Sequence, residues 1–293
     1  MQLLIDIGNT ATKCSWDLAP ASRAPAQPLA VYRCPSDADS AAIVAFLNDV
    51  LRAAAPTVTA AWAVCVASDA VYARWATAIE QVLVCSVQRL RGDTSLVGMR
   101  NGYDKPALLG ADRWVAAYGA AEIAHTVRVQ GADIQGEGVP RDCVLATFGT
   151  ATTVDLIRWD AASQHSVFEG GLIFPGVQTA WRSLATATAQ LPDLSAETQT
   201  TSPPTQLHAV AKNTHNAIVQ GLVHSQRGAI MSAMSAWGSN LQLFVAGGAA
   251  GLIAPHLNDL QPTRLDQAVL LGLQRYVSQQ SPIHPPCVGL RSI

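Results

Sequence analysis

Leu3–Trp16 reads LLIDIGNTATKCSW, and this stretch decides the fold. A continuous apolar run predicts a buried strand, yet Asp6 interrupts it and a Gly8-Asn9-Thr10 turn follows at once. A carboxylate in a buried strand neutralises itself unless a cation or backbone N–H groups hold its charge. The turn offers such groups, together with the hydroxyls of Thr10 and Thr12 and the ammonium of Lys13. Such a hairpin could hold an anionic phosphate beside a metal-binding carboxylate. An Asp ahead of Gly-Asn can equally do no more than cap its own turn.

A second copy favours the phosphate reading. Leu145–Asp155, LATFGTATTVD, repeats strand, Gly-Thr turn and strand, and at a fixed offset Gly8 matches Gly149 and Thr12 matches Thr153. Two such hairpins, each opening one half of the chain, predict a duplicated fold closing on one ligand.

The remaining composition narrows the class. The 293 residues suffice for two domains, and 49% hydrophobic content supplies two cores. With 14% charged residues, a net charge of −2 and no cluster of Lys or Arg, a nucleic-acid or membrane footprint is not expected. Six scattered cysteines without C-x-x-C spacing read as reduced core thiols, and no eighteen-residue apolar run occurs, so a cytoplasmic protein is expected.

Further along, Leu29–Arg33 is expected to be a third strand. Helical spacing marks Ser40–Ala54, with Ser40 as N-cap, then a strand at Thr59–Val66, a helix through Val71, Trp75, Ile79 and Val82, and a closing strand by Leu90. Tyr103–Arg113, YDKPALLGADR, leads into a helix through Trp114, Val115 and Tyr118. The adjacent Asp112 and Arg113 read first as a wet helix face or a structural ion pair. The alternative is a carboxylate base beside an arginine that clamps an acidic substrate. Gly-rich Val129–Arg141 is the expected boundary between domains 1–130 and 142–293. In the second half, Gly170-Gly171 in a strand marks a bulge or a close backbone contact. Leu194–Pro204 reads as a loop, and a helix from about His208 to Trp237 has Gly221 and Gly228 as possible breaks. Ala246-Gly247-Gly248, between a strand and a helix, has the shape of a nucleotide-approach loop.

Neither G-x-x-x-x-G-K-[ST] nor G-x-G-x-x-G is present. Taken in order, LLIDIGNTATK at 3–13, Y-x-x-P-x-x-L-G-A-D-R at 103–113, GTATTVD at 149–155, GGLIFPG at 170–176, TAQLP at 188–192 and AGG at 246–248 resemble the type III pantothenate kinases. This family, also called the Bvg accessory factors, belongs to the actin, hexokinase and Hsp70 superfamily. The resemblance implies an α/β fold of two RNase H-like, actin-like ATPase domains with a nucleotide cleft between them. It implies ATP-dependent phosphorylation of pantothenate to 4′-phosphopantothenate, the first step toward coenzyme A.

Residue by residue, it implies that Asp6, Ile7, Gly8, Asn9, Thr10, Ala11, Thr12 and Lys13 lie along the ATP phosphates, with Asp6 oriented toward Mg²⁺. Thr150 and Thr152 would supply the second phosphate loop. Tyr103, Gly110, Ala111, Asp112 and Arg113 would contact pantothenate, with Asp112 as general base, and Thr188 would reach it from the second subunit of a homodimer. Where the family commonly has an aspartate for K⁺ or NH₄⁺, this chain has Thr147, so monovalent-cation activation is expected to be weaker here or to use a site built from carbonyls. The competing readings are a non-catalytic nucleotide-binding regulator on the same fold, and a kinase for another small hydroxy acid.

Overall fold

A computed structural model of the chain describes residues 1–17, 30–54, 58–83, 85–126, 141–187 and 210–280. Its contacts divide the chain into Met1–Gly119 with Ala268–Ile293, and Ala120–Gln267. The first unit therefore recruits the C-terminal helix, a return that a linear division at 130/142 does not contain.

In the first unit, β1 (Gln2–Ile7), β2 (Ala11–Asp17) and β3 (Tyr32–Pro35) form an antiparallel meander. α1 (Ser40–Ala54) leads to β4 (Ala60–Cys65), parallel to β1, and α2 (Asp69–Leu83) leads to β5 (Val87–Leu90), parallel to β4. The resulting order is β3-β2-β1-β4-β5. β6 (Met99–Asn101), a 3₁₀ turn at Pro106–Leu108 and α3 (Ala111–Thr126) follow.

β1 is apolar on both faces because helices cover both. Leu3, Ile5 and Ile7 pack with Ile43 and Leu47 of α1 and Trp75 and Ile79 of α2. Leu4 faces the other way, into a cluster with Val115 of α3 and Leu270 and Leu273 of the C-terminal helix. Since side chains alternate along a strand, Asp6 shares the face of Leu4 and therefore the side that carries α3.

In the second unit β7 (Cys143–Phe148), β8 (Ala151–Asp160) and β9 (His165–Pro175) form another antiparallel meander. α4 (Val177–Ala187) and α5 (Thr214–Trp237) precede β10 (Gln242–Ala246), which runs parallel to β7. The short α6 (Ala250–Ile253) and a 3₁₀ stretch at Ala254–Leu260 lead to β11 (Thr263–Arg264), parallel to β10, before α7 (Ala268–Ser278). The order β9-β8-β7-β10-β11 repeats the first sheet with the same strand senses, so the fold is a duplicated RNase H-like α/β unit, as in actin-like ATPases. The register corrects one match: Ile7 pairs with Thr12, and Phe148 pairs with Thr152. The second turn is one residue shorter, so Thr12 corresponds to Thr152 and Lys13 to Thr153.

Other local expectations shift for identifiable reasons. The third strand begins at Tyr32. The α1 cap is Asp39, whose Oδ1 accepts from the Ala42 N–H at 2.8 Å, and Ser40 is already helical. α5 runs unbroken through Gly221 and Gly228, capped by Asn213, whose side chain accepts from the Asn216 N–H at 2.8 Å. In a helix held by a packed apolar face, an open-side glycine lowers propensity without breaking the helix. Gly170-Gly171 combines both features expected of it. The β8–β9 register shifts beside Gly170, and a Cβ on Gly171 would overlap the Val154 carbonyl. Residues 127–140, 188–192 and 194–204 lie outside the described residues. Among the described residues, no helix is long and apolar enough to cross a membrane.

α3 and α7 meet at glycines. A Cβ on Gly272 would overlap the Val115 carbonyl, and one on Gly119 would come within 2.9 Å of the Ala268 carbonyl oxygen. Arg275 reinforces the contact by donating to the Tyr118 carbonyl at 2.8 Å with its guanidinium 3.9 Å over the Tyr118 ring. Gly272→Ala is expected to destabilise the protein by about 1–3 kcal/mol through overpacking. Denaturant unfolding checks this, and an unchanged midpoint would show that the helices separate freely.

Candidate active site

Asp6 and Lys13 face each other across the first hairpin, with Nζ 2.9 Å from Oδ2. Asp6 is only 5% exposed, and this cation in contact offsets the cost of burying a carboxylate at the end of an apolar strand. The turn closes through Gly8 N–H donating to the Ala11 carbonyl at 3.2 Å, leaving Asn9 and Thr10 exposed at the tip. Ile7 and Thr12 point inward and are fully buried. The Thr12 hydroxyl lies 3.0 Å from that of Ser36. The Ser36 N–H donates to the Thr10 carbonyl at 3.2 Å, while its carbonyl accepts from Trp75 Nε1 at 3.2 Å. The hairpin is thus pinned from below by Ser36, a residue that no motif marks. Of the residues assigned to the phosphates, the side chains of Ile7 and Thr12 belong to this support, and the accessible groups are those of Gly8 to Ala11 with Lys13.

Asp112 and Arg113 open α3, on the face of the sheet that carries Asp6. The wet-face reading fails, because Arg113 is only 7% exposed. Its Nη1 donates to the Tyr103 hydroxyl at 2.7 Å, with the guanidinium 5.6 Å from the ring centre. Tyr103 is itself placed by its N–H, which donates to Asn101 Oδ1 at 2.9 Å, and Asn101 Nδ2 donates to the Gly92 carbonyl at 2.8 Å. Gly92 also lets the segment leading into α3 come close, since a Cβ there would overlap the Leu109 carbonyl. Ala111 is buried and Gly110 partly so, and a Cβ on Gly110 would come 2.7 Å from Asp112 Oδ1. The glycine therefore keeps space around that carboxylate.

Burial pushes the Asp112 carboxyl above the usual carboxylate range, and the negative charge of Asp6 raises it further. The Arg113 N–H, donating to Oδ1 at 2.8 Å, and the Arg113 charge act in the opposite direction without cancelling the rise. A carboxylate so placed is a stronger proton acceptor than one in water.

The second hairpin closes through Gly149 N–H donating to the Ala151 carbonyl at 3.0 Å, with Thr150 exposed at its tip. The Thr150 carbonyl accepts from the Gly176 N–H at 3.1 Å and from the Thr179 hydroxyl at 2.6 Å. Thr152, expected beside Thr150, is fully buried, because it pairs with Phe148 and shares the inward strand parity of Val154. Gly247 has φ +94°, and a Cβ there would overlap the Phe148 carbonyl, so close packing accounts for this glycine. Thr188 lies outside the described residues.

Mg²⁺ takes oxygen ligands and commonly needs only one or two carboxylates beside substrate phosphates. The nearly buried Asp6 beside an exposed turn fits that donor set. A monovalent cation held by a carboxylate does not fit at Thr147, whose cross-strand partner is Thr153, so that rung carries hydroxyls alone. Among the described residues, no group of three or more His, Cys, Asp and Glu is arranged for a metal ion.

Known proteins place this geometry in context. The family model described as Type III pantothenate kinase matches residues 2–236. A type III pantothenate kinase of Cupriavidus taiwanensis is 34% identical, covering 93% of this chain and 96% of the relative. One from Janthinobacterium sp. is 42% identical over 64% of each. Among solved structures, a putative Baf family transcriptional activator from Campylobacter jejuni aligns at 16% identity over 94% of this chain and 98% of that one, TM-score 0.56. A putative 2-dehydro-3-deoxygalactonokinase from Sinorhizobium meliloti aligns at 14% identity over 99% and 100%, TM-score 0.54. At these identities the structural likeness concerns the fold alone.

The raised Asp112 pKa has a thermodynamic signature. Below the ordinary carboxylate value of about 3.9 the group is protonated in both folded and unfolded chains and contributes nothing. Above its raised folded value the native state holds a disfavoured charge and loses stability. Asp112→Asn is therefore expected to raise the melting temperature at pH 7, with a gain that vanishes as pH falls toward about 4. Thermal melts across that range check this, and a gain independent of pH would contradict it.

Proposed function

Because the chain belongs to the type III pantothenate kinase family, we propose that it transfers the γ-phosphoryl group of ATP to the primary hydroxyl of pantothenate, giving ADP and 4′-phosphopantothenate. The observation that carries the assignment of roles is the placement of Asp112, a partly buried carboxylate of raised pKa, on the same sheet face as the Asp6–Lys13 pair.

Asp112 accepts the hydroxyl proton as the pantothenate oxygen bonds to phosphorus and the bond from phosphorus to the β-phosphate oxygen breaks. Phosphoryl transfer asks a protein mainly for positioning and charge stabilisation. Lys13 and the Gly8–Ala11 turn bear on the ATP phosphates, with Thr150 as the contribution of the second hairpin. Asp6 would hold the Mg²⁺ that accompanies ATP, an ion that supplies charge neutralisation at the phosphates. Arg113, steadied by Tyr103, answers the substrate carboxylate. A homodimer in which the partner subunit's Thr188 completes the pantothenate site accords with family membership.

An ADP-release assay with Mg-ATP and pantothenate tests the reading. Pantothenate-dependent turnover is expected, with Asp112→Asn lowering kcat by about 10²–10⁴-fold while ATP still binds. Arg113→Ala should chiefly raise the pantothenate KM. Full activity in Asp112→Asn, or an unchanged KM in Arg113→Ala, would overturn the respective role. In the same assay, K⁺ and NH₄⁺ are expected to have little effect, and strong activation abolished by Thr147→Ala would refute that.

A further inference from the structure

The two meanders support their hairpins by the same backbone bond and different side chains. In the first, the Ser36 N–H donates to the Thr10 carbonyl at 3.2 Å, and in the second the Gly176 N–H donates to the Thr150 carbonyl at 3.1 Å. The registers agree, since Ala11 pairs with Pro35 and Ala151 with Pro175. Gly176 is thus the counterpart of Ser36, as Thr152 is of Thr12. In the first meander the threonine hydroxyl meets the serine hydroxyl at 3.0 Å. In the second that partner is absent and cannot be restored, because a Cβ on Gly176 would overlap the Gly149 carbonyl.

The consequence is a buried Thr152 hydroxyl with no hydrogen-bond partner among the described residues. A second buried polar atom in the same state, Gln226 Oε1, comes from α5. Gln226 is 2% exposed, and its Nε2 donates at 3.1 Å to the carbonyl of Pro175, the residue between Gly176 and Thr152's cross-strand partner Phe174. α5 brings Leu222, Val223 and Ile230 to the core that Phe148 and Val154 form on the β7–β8 meander. Thr152 pairs with Phe148 and has the strand parity of Val154, so its side chain belongs to that same inner layer. One atom is a donor and acceptor and the other an acceptor, and leaving both unmet is disfavoured.

We propose that one ordered water molecule bridges Thr152 Oγ1 and Gln226 Oε1, making Gln226 the positioning residue of the second hairpin in the place that Ser36 occupies in the first. The water donates to the amide oxygen and exchanges a hydrogen bond with the hydroxyl, while the amide nitrogen holds Pro175. Through Thr152 and Pro175 the bridge fixes Gly149–Ala151, the turn assigned above to ATP. The link to catalysis rests on that assignment, and the bridge itself does not.

Thr152→Val, Gln226→Leu and the double variant test it by thermal unfolding and by separate KM measurements for ATP and pantothenate. Each single change is expected to lower the melting temperature, with the double no lower than the worse single, because both remove one unit. The ATP KM should rise several-fold with the pantothenate KM unchanged, and Thr152→Ser, which keeps the hydroxyl, should restore the wild-type value. Additive melting losses would overturn the bridge, as would a high-resolution crystal structure without water between the two atoms. An unaltered ATP KM alongside non-additive melting would overturn the positioning role. Absence of pantothenate-dependent ADP release from the unaltered protein would overturn the kinase reading instead, and the melting cycle would still decide the bridge.

Discussion

The charged rung between Asp6 and Lys13 is the constraint around which the first unit is built. A carboxylate that is 5% exposed at the end of a strand covered by helices on both faces is costly to bury, and a cation in contact offsets that cost. The antiparallel register supplies Lys13 directly opposite. That register in turn requires a tight turn at Gly8–Ala11, and the turn requires support from Ser36 and Trp75 beneath it. The electrostatics reach further, since the Asp6 charge helps to keep the Asp112 carboxyl above its ordinary range. One ion pair therefore links the β1–β2 pair inside the sheet, the turn that joins them and the basicity of Asp112 in the first turn of α3.

The second unit retains the topology and abandons the charge. Thr147 and Thr153 occupy the rung that Asp6 and Lys13 hold in the first. The threonine beneath the turn persists as Thr152, although its hydroxyl partner has become Gly176. Gene-duplicated units diverge in this way when backbone geometry is fixed by sheet pairing and side chains are free to specialise. The first hairpin therefore carries a charged rung and the second a neutral one.

Family membership and local physics bear on different questions. Ordered motifs across the chain identify the family, and 34% identity over 93% of the chain to a curated relative agrees with them. They do not say why Arg113 is buried or what holds Tyr103. Tyr103 is held by Asn101, whose side chain reaches the Gly92 carbonyl, and Arg113 in turn donates to Tyr103. Asp112 gains its altered basicity from burial, which is the leading cause of the shift.

Much of this was legible in the amino-acid order. Apolar runs and helical spacing placed the strands and helices, and the two Gly-Thr turns exposed the duplication, because periodicity and turn chemistry are local properties. The boundary at the C-terminus, the one-residue difference between the turns and the inward direction of Thr12 and Thr152 were not legible. Each depends on which strand lies opposite and which helix lies above, and a contact such as α7 on β1 joins residues more than 250 positions apart. The sequence alone determined the family, and it marked the residues proposed to carry the chemistry. Tertiary structure alone decided their surroundings, since burial and pairing, which set charge and basicity, exist only once distant segments have packed together.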